Sequence, residues 1–538
     1  MTRNSTSLIF SFTATLFLVF ICSTFFFSHN DYLSTTNISN PPLDSAAIGS
    51  MQGPYFSTFI GGNNDETGWG MDIDASGNII IAGVTLSSDF PGTNSSNSTQ
   101  GRRNIFIIKF SSDGNLLFSS LLEGTNFTNI VDLALDSIGN IVVVGQIDYD
   151  SLQLVNAYQQ DFNGSNEAIV AKLTPDGQST IFSTYFGGNG TETIHSVRVD
   201  SSDNIIISGS TTSADFPTTE NAFQNANGGK EDAFISKISS DGQDLLYSTY
   251  LGGNQTDEAY GVGVDDDGSF AITGMTRSND FPAFMAFQDA FQGGFSDGFA
   301  AKFASDGSMV FSTFLGGSYL DHARDIEIDA SGAISAVGLT FSHNFPVTES
   351  VVQDTYGGNA DVFISKLNSE GQLLGSTFLG DYGGREEGYD LEILSTGDIA
   401  ISGFTASHYF PTENGYQRTL RGDTDAFLSV LSADYSELLL STYYGGDGAE
   451  DGHSLAVNDQ DNLIIYGTTS SANLPTANPY QETYGGGKDL FLCGFTNYIE
   501  PVRKQTDDTT GFEALPLLIL TVSLIFAFSR KMRSRDVG

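Results

Sequence analysis

The sequence predicts an all-β protein: a seven-bladed β-propeller with four antiparallel strands per blade, closed by pairing the N-terminal strand into the last blade. Three observations predict it. A Ser-Thr-aromatic-apolar-Gly motif recurs seven times at a nearly constant interval. Each interval carries apolar–polar alternation on both sides of tight Gly-containing turns, which is the pattern of hairpins. The array opens on a strand that has no blade and ends on a blade that has no fourth strand.

Taken in order, the chain begins with Arg3 and then an apolar run of 20 residues, 8–27. A charged start followed by an apolar stretch reads as a secretory signal, but this run is longer than the usual apolar region and no A-x-A site follows. Residues 1–30 are therefore a signal peptide or an uncleaved signal anchor, and 31–53 a linker. The propeller occupies 54–496. A second linker, 497–511, leads to a transmembrane segment at 512–529, whose apolar run is at the short end for a membrane helix. Arg530, Lys531, Arg533 and Arg535 follow in the tail 530–538. The positive-inside rule keeps this tail in the cytoplasm and places everything before it outside the cell. The expected location is the cell membrane, single-pass, with the propeller facing outward.

Within 54–496 the motif reads FSTFIGG at Phe56, FSSLLEG at Phe118, FSTYFGG at Phe182 and YSTYLGG at Tyr247. It continues as FSTFLGG at Phe311, GSTFLGD at Gly375 and LSTYYGG at Leu440. The successive spacings are 62, 64, 65, 64, 64 and 65 residues, a period that means propellers, solenoids or arrays. Between motifs the turns are of the type Asp74-Ala-Ser-Gly-Asn, Ser111-Ser-Asp-Gly-Asn, Ser240-Asp-Gly-Gln and Asp329-Ala-Ser-Gly-Ala. No stretch has helical periodicity long enough for a crossover helix. The last unit stops at its third strand, 489–496, and the strand that starts near Phe56 supplies the missing edge, leaving no sheet edge open.

Composition narrows the function. Across 538 residues, 22 Lys and Arg stand against 65 Asp and Glu, a net charge of −43. Such a surface repels phosphate backbones and excludes nucleic acid as a partner. With 42 Phe, 21 Tyr and 60 Gly, the chain is rich in strand and turn formers. Cys22 and Cys493 lie in apolar segments at opposite ends, so neither a disulfide framework nor a thiolate metal site is expected.

The string T-x-S-x-D-F-P-T…A-F-Q…D-A-F…K…S-D-G…Y-S-T-Y-L-G-G, best seen across 211–253, resembles the SBBP (seven-bladed β-propeller) repeat. Weaker forms cover 55–496. The second unit departs most, with IDYDSLQLVNAYQ at Ile147 in place of a DFP loop. The resemblance implies a propeller on bacterial or archaeal cell surfaces and implies no catalytic residues. The ending TGFEALPLLIL…SRKMRSR resembles the PGF-type C-terminal sorting signals of archaeal surface proteins, with Thr510 where that motif has Pro.

If the STYLGG strand is outermost, the crossovers to the next blade and the DFP loops share one face. That face is the expected binding face, because binding residues concentrate on loops held by a rigid scaffold. Phe90, Phe216, Phe281, Phe345 and Phe410 precede Pro in these loops and are expected as plugs between blades, with Leu474 in the last unit. Aligning the units puts Glu66, Thr128, Glu192, Asp257, Asp321, Glu386 and Glu450 at one position. This acidic ring has two readings: a rim that holds a cation such as calcium at the channel mouth, or carboxylates that accept backbone amides and brace neighbouring blades. Calcium wants six to eight oxygens converging at about 2.3–2.6 Å, and separate blades stand further apart; bracing is the expected role, and no cofactor is required. Three residues later come Trp69, Val131, His195, Tyr260, Arg324, Tyr389 and His453, the candidate binding rim. Lys109, Lys172, Lys237, Lys302 and Lys366 recur on third strands, with Asp232, Asp297 and Asp361 as expected ion-pair partners.

Catalytic motifs are missing from the sequence: no HExxH, no G-x-S-x-G, and no pair of carboxylates that stands out among 65. The expected function is a membrane-tethered binding, adhesion or structural module that meets a cell-surface glycan or protein through its long-loop face. The alternative is a carbohydrate-active hydrolase or lyase on the same scaffold. Sequons at Asn37, Asn94, Asn97, Asn126, Asn163, Asn189 and Asn254 fit an exported chain.

Overall fold

The computed structural model describes residues 51–92, 103–122, 127–148, 150 and 152–496. Both terminal apolar runs, Cys22 and the sequons at Asn37, Asn94, Asn97 and Asn126 lie outside them. No helix of the described residues is long and apolar enough to cross a membrane.

Seven four-stranded antiparallel sheets make a propeller. In chain order the blades are 66–122, 127–186, 192–251, 257–315, 321–379, 386–444, and 450–495 together with 56–60. Each blade runs from an innermost first strand outward, and the first strands of successive blades neighbour one another around a central channel. The second strands are rich in β-branched residues and carry no charge: Ile79–Thr85, Ile205–Thr211 and Ile399–Thr405 are buried at every residue. Such strands cannot alternate, because each blade packs on both faces against its neighbours.

Closure follows the sequence expectation. Phe56–Ile60 pairs antiparallel with Asp489–Phe495, Phe56 opposite Gly494 and Ile60 opposite Leu490. Phe56, Phe59 and Ile60 are buried in doing so.

The hairpin turns show why Gly recurs in them. Gly77 sits at φ +78° and donates to Asp74 O at 2.8 Å, while Asp74 Oδ1 accepts the amides of Ser76 and Asn78. On the opposite face, crossovers and DFP loops are tied together. The amides of Asn63, Asn189 and Asn254 each donate to the DFP-loop Asp at 2.9 Å (Asp89, Asp215 and Asp280). The DFP phenylalanines are buried plugs. Phe216 lies 4.6 Å from Phe234 of its own blade and 5.4 Å, edge-on, from Phe186 of the blade before.

The lysines pair differently from the sequence expectation. Lys109, Lys172, Lys237 and Lys366 bind the turn acids Asp74, Asp136, Asp200 and Asp329 at 2.7–2.9 Å, and Lys302 lies 3.8 Å from Asp265. Asp232, Asp297 and Asp361 are not their partners. These three stand at the other end of the same third strand, each five residues away, so no lysine stem reaches them.

Candidate functional site

The candidate rim residues share one local cause. In the first strand of blade three, Ile194 pairs with Gly209 and Ser196 with Ser208, which leaves His195 as an extra residue with no partner across the ladder. Tyr260, Arg324, Tyr389 and His453 occupy the same β-bulge in their blades. Trp69 lies within the skip between Thr67 and Gly70, and Val131 within that between Ile130 and Asp132. A bulge re-aims the unpaired side chain, and here all seven line a single cavity of about 640 Å³ in the channel.

At this level the side chains contact one another across blades. Trp69 stacks on His453 with ring centroids 3.8 Å apart and planes 5° off parallel, and Tyr389 meets Trp69 edge-on at 5.3 Å. His453 Nδ1 donates to the Gly68 carbonyl at 3.2 Å, which fixes its tautomer. Burial holds the His195 and His453 imidazoles down at about 4, so both are neutral at pH 7. Arg324 lies over the Tyr260 ring at 4.8 Å, and Tyr260 meets His195 edge-on at 5.2 Å.

Sequence reasoning stopped at this ring and missed the ones above and below it. The repeat alignment itself carried the signal, read one, four and six places after the acidic position. One place on, Glu387 receives Arg324 at 2.6 Å and Arg385 at 2.7 Å, so one carboxylate ties both guanidiniums of the mouth. Four and six places on lie Asp132, Asp325, Asp390, Asp72, Glu327 and Glu392, with Arg198 alone among them. Arg198 reaches Asp132 and Glu327, each at 3.4 Å, and Asp325 at 3.9 Å. It passes blade four, which has only Gly263 at that level. Asp132, Asp325 and Asp390 also accept backbone amides from the following blade (Val197, Leu391 and Leu455). Burial, with crowding by like charges, raises Asp390 and Glu392 well above the carboxylate range.

The acidic ring stands elsewhere than at a rim. Glu66, Glu192, Asp257, Asp321, Glu386 and Glu450 are fully buried, which fits the bracing role expected of them and not the alternative of a rim at the channel mouth. The side chain at the start of a first strand turns into the blade junction rather than into the channel. Asp257 accepts the Gly253 amide at 2.7 Å, the Ser278 hydroxyl at 2.8 Å and the Thr276 hydroxyl. Asp321 repeats this with Gly317, Ser342 and Thr340, and Glu450 with Gly446 and Thr469. Glu66 binds Gly62 and Thr85, Glu192 binds Thr211 and Ser213, and Glu386 binds Thr405. At Glu66, Asp257, Asp321 and Glu450 the carboxylate thus ties a crossover amide to the end of the second strand, whereas Glu192 and Glu386 hold the strand end and keep one buried oxygen without a hydrogen bond. Thr128 is in a strand of blade two. Among the described residues no group of three or more His, Cys, Asp or Glu side chains is arranged to hold a metal ion.

A second buried acid faces each of these from the preceding blade. Asp232 and Asp257 flank Gly252, whose absent Cβ would stand 2.6 Å from Asp232 Cγ and 2.8 Å from Asp257 Oδ2. Burial, assisted by the partner's charge, pushes Asp232 up to about 7, Asp297 to about 8 and Glu386 to about 8. At the junction of blades one and two both positions are neutral, Asn104 and Thr128.

The class defined by fold and site is a seven-bladed β-propeller with an aromatic channel mouth over an acidic floor. No family model matches the chain. It is similar to regulatory protein FlaEY of Caulobacter vibrioides, 23% identical over 364 residues. That match covers 64% of this chain and 37% of the relative, so the chain spans well under half of its length. Among solved structures it is similar to a Dyadobacter fermentans protein of unknown function (TM-score 0.40, 11% identity, 84% of this chain and 100% of that one). It is also similar to the phage phi92 endosialidase (TM-score 0.35, 11% identity, 86% and 72%) and to the Xanthomonas campestris gluconolactonase XC5397 (TM-score 0.30, 11% identity, 65% and 87%).

Proposed function

We propose that this chain is a membrane-tethered, outward-facing propeller that binds its ligand, presented at the cell surface, through the channel mouth on the long-loop face. One observation carries the reading: seven blades each spend a β-bulge at the same level, and six of the seven side chains so aimed are aromatic rings, imidazoles or a guanidinium. Bulges interrupt pairing, so a ring of them in the innermost strands points to a role other than holding the sheets together. Aromatic faces and Arg are also the side chains that dominate binding energy at recognition sites. The sequons at Asn163, Asn189 and Asn254 are exposed on that same face, in keeping with an exported chain.

Arrays of surface glycans and proteins, probed with the purified chain and with Trp69→Ala, test the reading. Binding that the substitution abolishes supports it. Turnover of any polysaccharide in a substrate panel overturns it in favour of a carbohydrate-active enzyme. For topology, protease added to intact cells is expected to digest 54–496 and spare the basic tail; protection of 54–496 contradicts the outward assignment.

A further inference from the structure

We propose that the channel beneath the aromatic ring is a binding site for a linear polyamine, an aliphatic chain carrying several ammonium groups. The inference rests on the reading of the mouth as a ligand entrance and adds the ligand's chemistry. The sign of the charge comes first. Below the ring six acidic side chains share one guanidinium, and Arg198 is held by Asp132, Asp325 and Glu327. Asp390 and Glu392, left without a cation of their own, are held neutral by burial and crowding, and an ammonium placed beside them lets them ionise. Glu392 lines the cavity, where burial and then the neighbouring Glu327 and Asp390 disfavour its charge and Arg198 favours it. At the mouth Glu387 takes up both Arg324 and Arg385, so those cations are already paired. Acids so short of cations are partners for an incoming positive charge, which offsets the cost of ionising them in the channel.

The aromatic ring above favours the same ligand. Ring faces attract cations within about 6 Å, and the protein's own Arg324 already sits on one such face, that of Tyr260 at 4.8 Å. Trp69 is 38% exposed and Tyr389 lies beside it. An ammonium entering the channel therefore meets aromatic faces first and carboxylates after them.

Dimensions select a chain over a point charge. A cavity of about 640 Å³ lies within the range of small-molecule sites. Glu387 at the mouth and Glu392 at the floor are five residues apart on one strand, on the order of 15 Å at about 3.3 Å per residue. A lysine of a partner protein has a four-carbon stem and stops in the upper half, whereas a linear polyamine spans both levels.

The test is calorimetric titration of the full chain in detergent with spermidine at low ionic strength. Saturable binding is expected. It should weaken about tenfold or more in Glu392→Gln and in Trp69→Ala, and likewise in about 0.5 M salt, where screening acts over only a few ångströms. Trp69→Phe should keep most of the affinity, and thermal melting checks that each variant is folded. No saturable spermidine heat in the parent overturns the inference, as does binding left intact in both Glu392→Gln and Trp69→Ala. Full competition by calcium alone also overturns it. Capture of a glycan or a lysine-bearing peptide at Trp69 with spermidine silent overturns the polyamine and leaves the mouth as a binding site. Silence toward every ligand overturns both.

Discussion

Replacing Asp257 by Ala tests the buried carboxylate brace at its best-defined copy. The carboxylate accepts the Gly253 amide at 2.7 Å, the Ser278 hydroxyl at 2.8 Å and the Thr276 hydroxyl, and it is fully buried. The two hydroxyls can rotate toward other acceptors, but the Gly253 amide is fixed by the crossover. Leaving a buried donor unpaired costs about 1–3 kcal/mol, so one fixed and two partly recovered donors predict a loss of about 3–5 kcal/mol. In a domain of this size that is a fall of several degrees in melting temperature. Asp257→Asn keeps an oxygen for Gly253 and should lose less. Its deficit should also shrink at high pH, because burial raises the Asp257 pKa and the parent must then hold a buried charge. Thermal and urea unfolding at pH 5 and pH 8, with calcium and with chelator, read all of this. An Ala variant that melts with the parent refutes the brace. A loss that calcium reverses refutes it in favour of a cation site.

Three further outcomes are expected. Deleting residues 55–60 removes the buried Phe56, Phe59 and Ile60 and strips the outer edge from blade seven; at about 1.5–3 kcal/mol per buried side chain, urea unfolding of the truncated chain should show a severe loss, and an unchanged midpoint contradicts closure by this strand. The paired junction acids are raised in the folded state, Asp232 to about 7 and Asp297 and Glu386 to about 8. Folding therefore binds their protons, and the stability they contribute is full below about pH 4 and is lost as pH rises through 7–8; a urea midpoint that climbs between pH 5 and pH 9 contradicts this. In double-mutant cycles Lys237 should couple to Asp200, 2.7 Å away, by about 1 kcal/mol or more and to Asp232 by less than about 0.5 kcal/mol; the reverse order would restore the pairing expected from sequence alone.

What the sequence determined was everything periodic. Seven copies of the STYLGG motif set the blade count, turn glycines marked the hairpins, and the unmatched strand at Phe56 predicted how the ring closes. Each of these is local or repeats along the chain, so it survives in one dimension. The candidate rim was legible for the same reason, since Trp69, His195 and Tyr260 align at a single repeat position. The environment of each position was decided only by the tertiary structure. Glu66 and its equivalents were aligned correctly and left with two readings, rim or brace, because nothing in a repeat says whether a strand's first side chain turns toward the channel or into the blade junction. Lys237 was matched to the acid on its own strand rather than to Asp200, which lies 37 places back in sequence and beside it across the hairpins. The acidic floor around Arg198 depends most on closure. Asp132, Asp325 and Glu327 belong to blades two and five and meet a guanidinium from blade three only once the ring brings their strands around one axis.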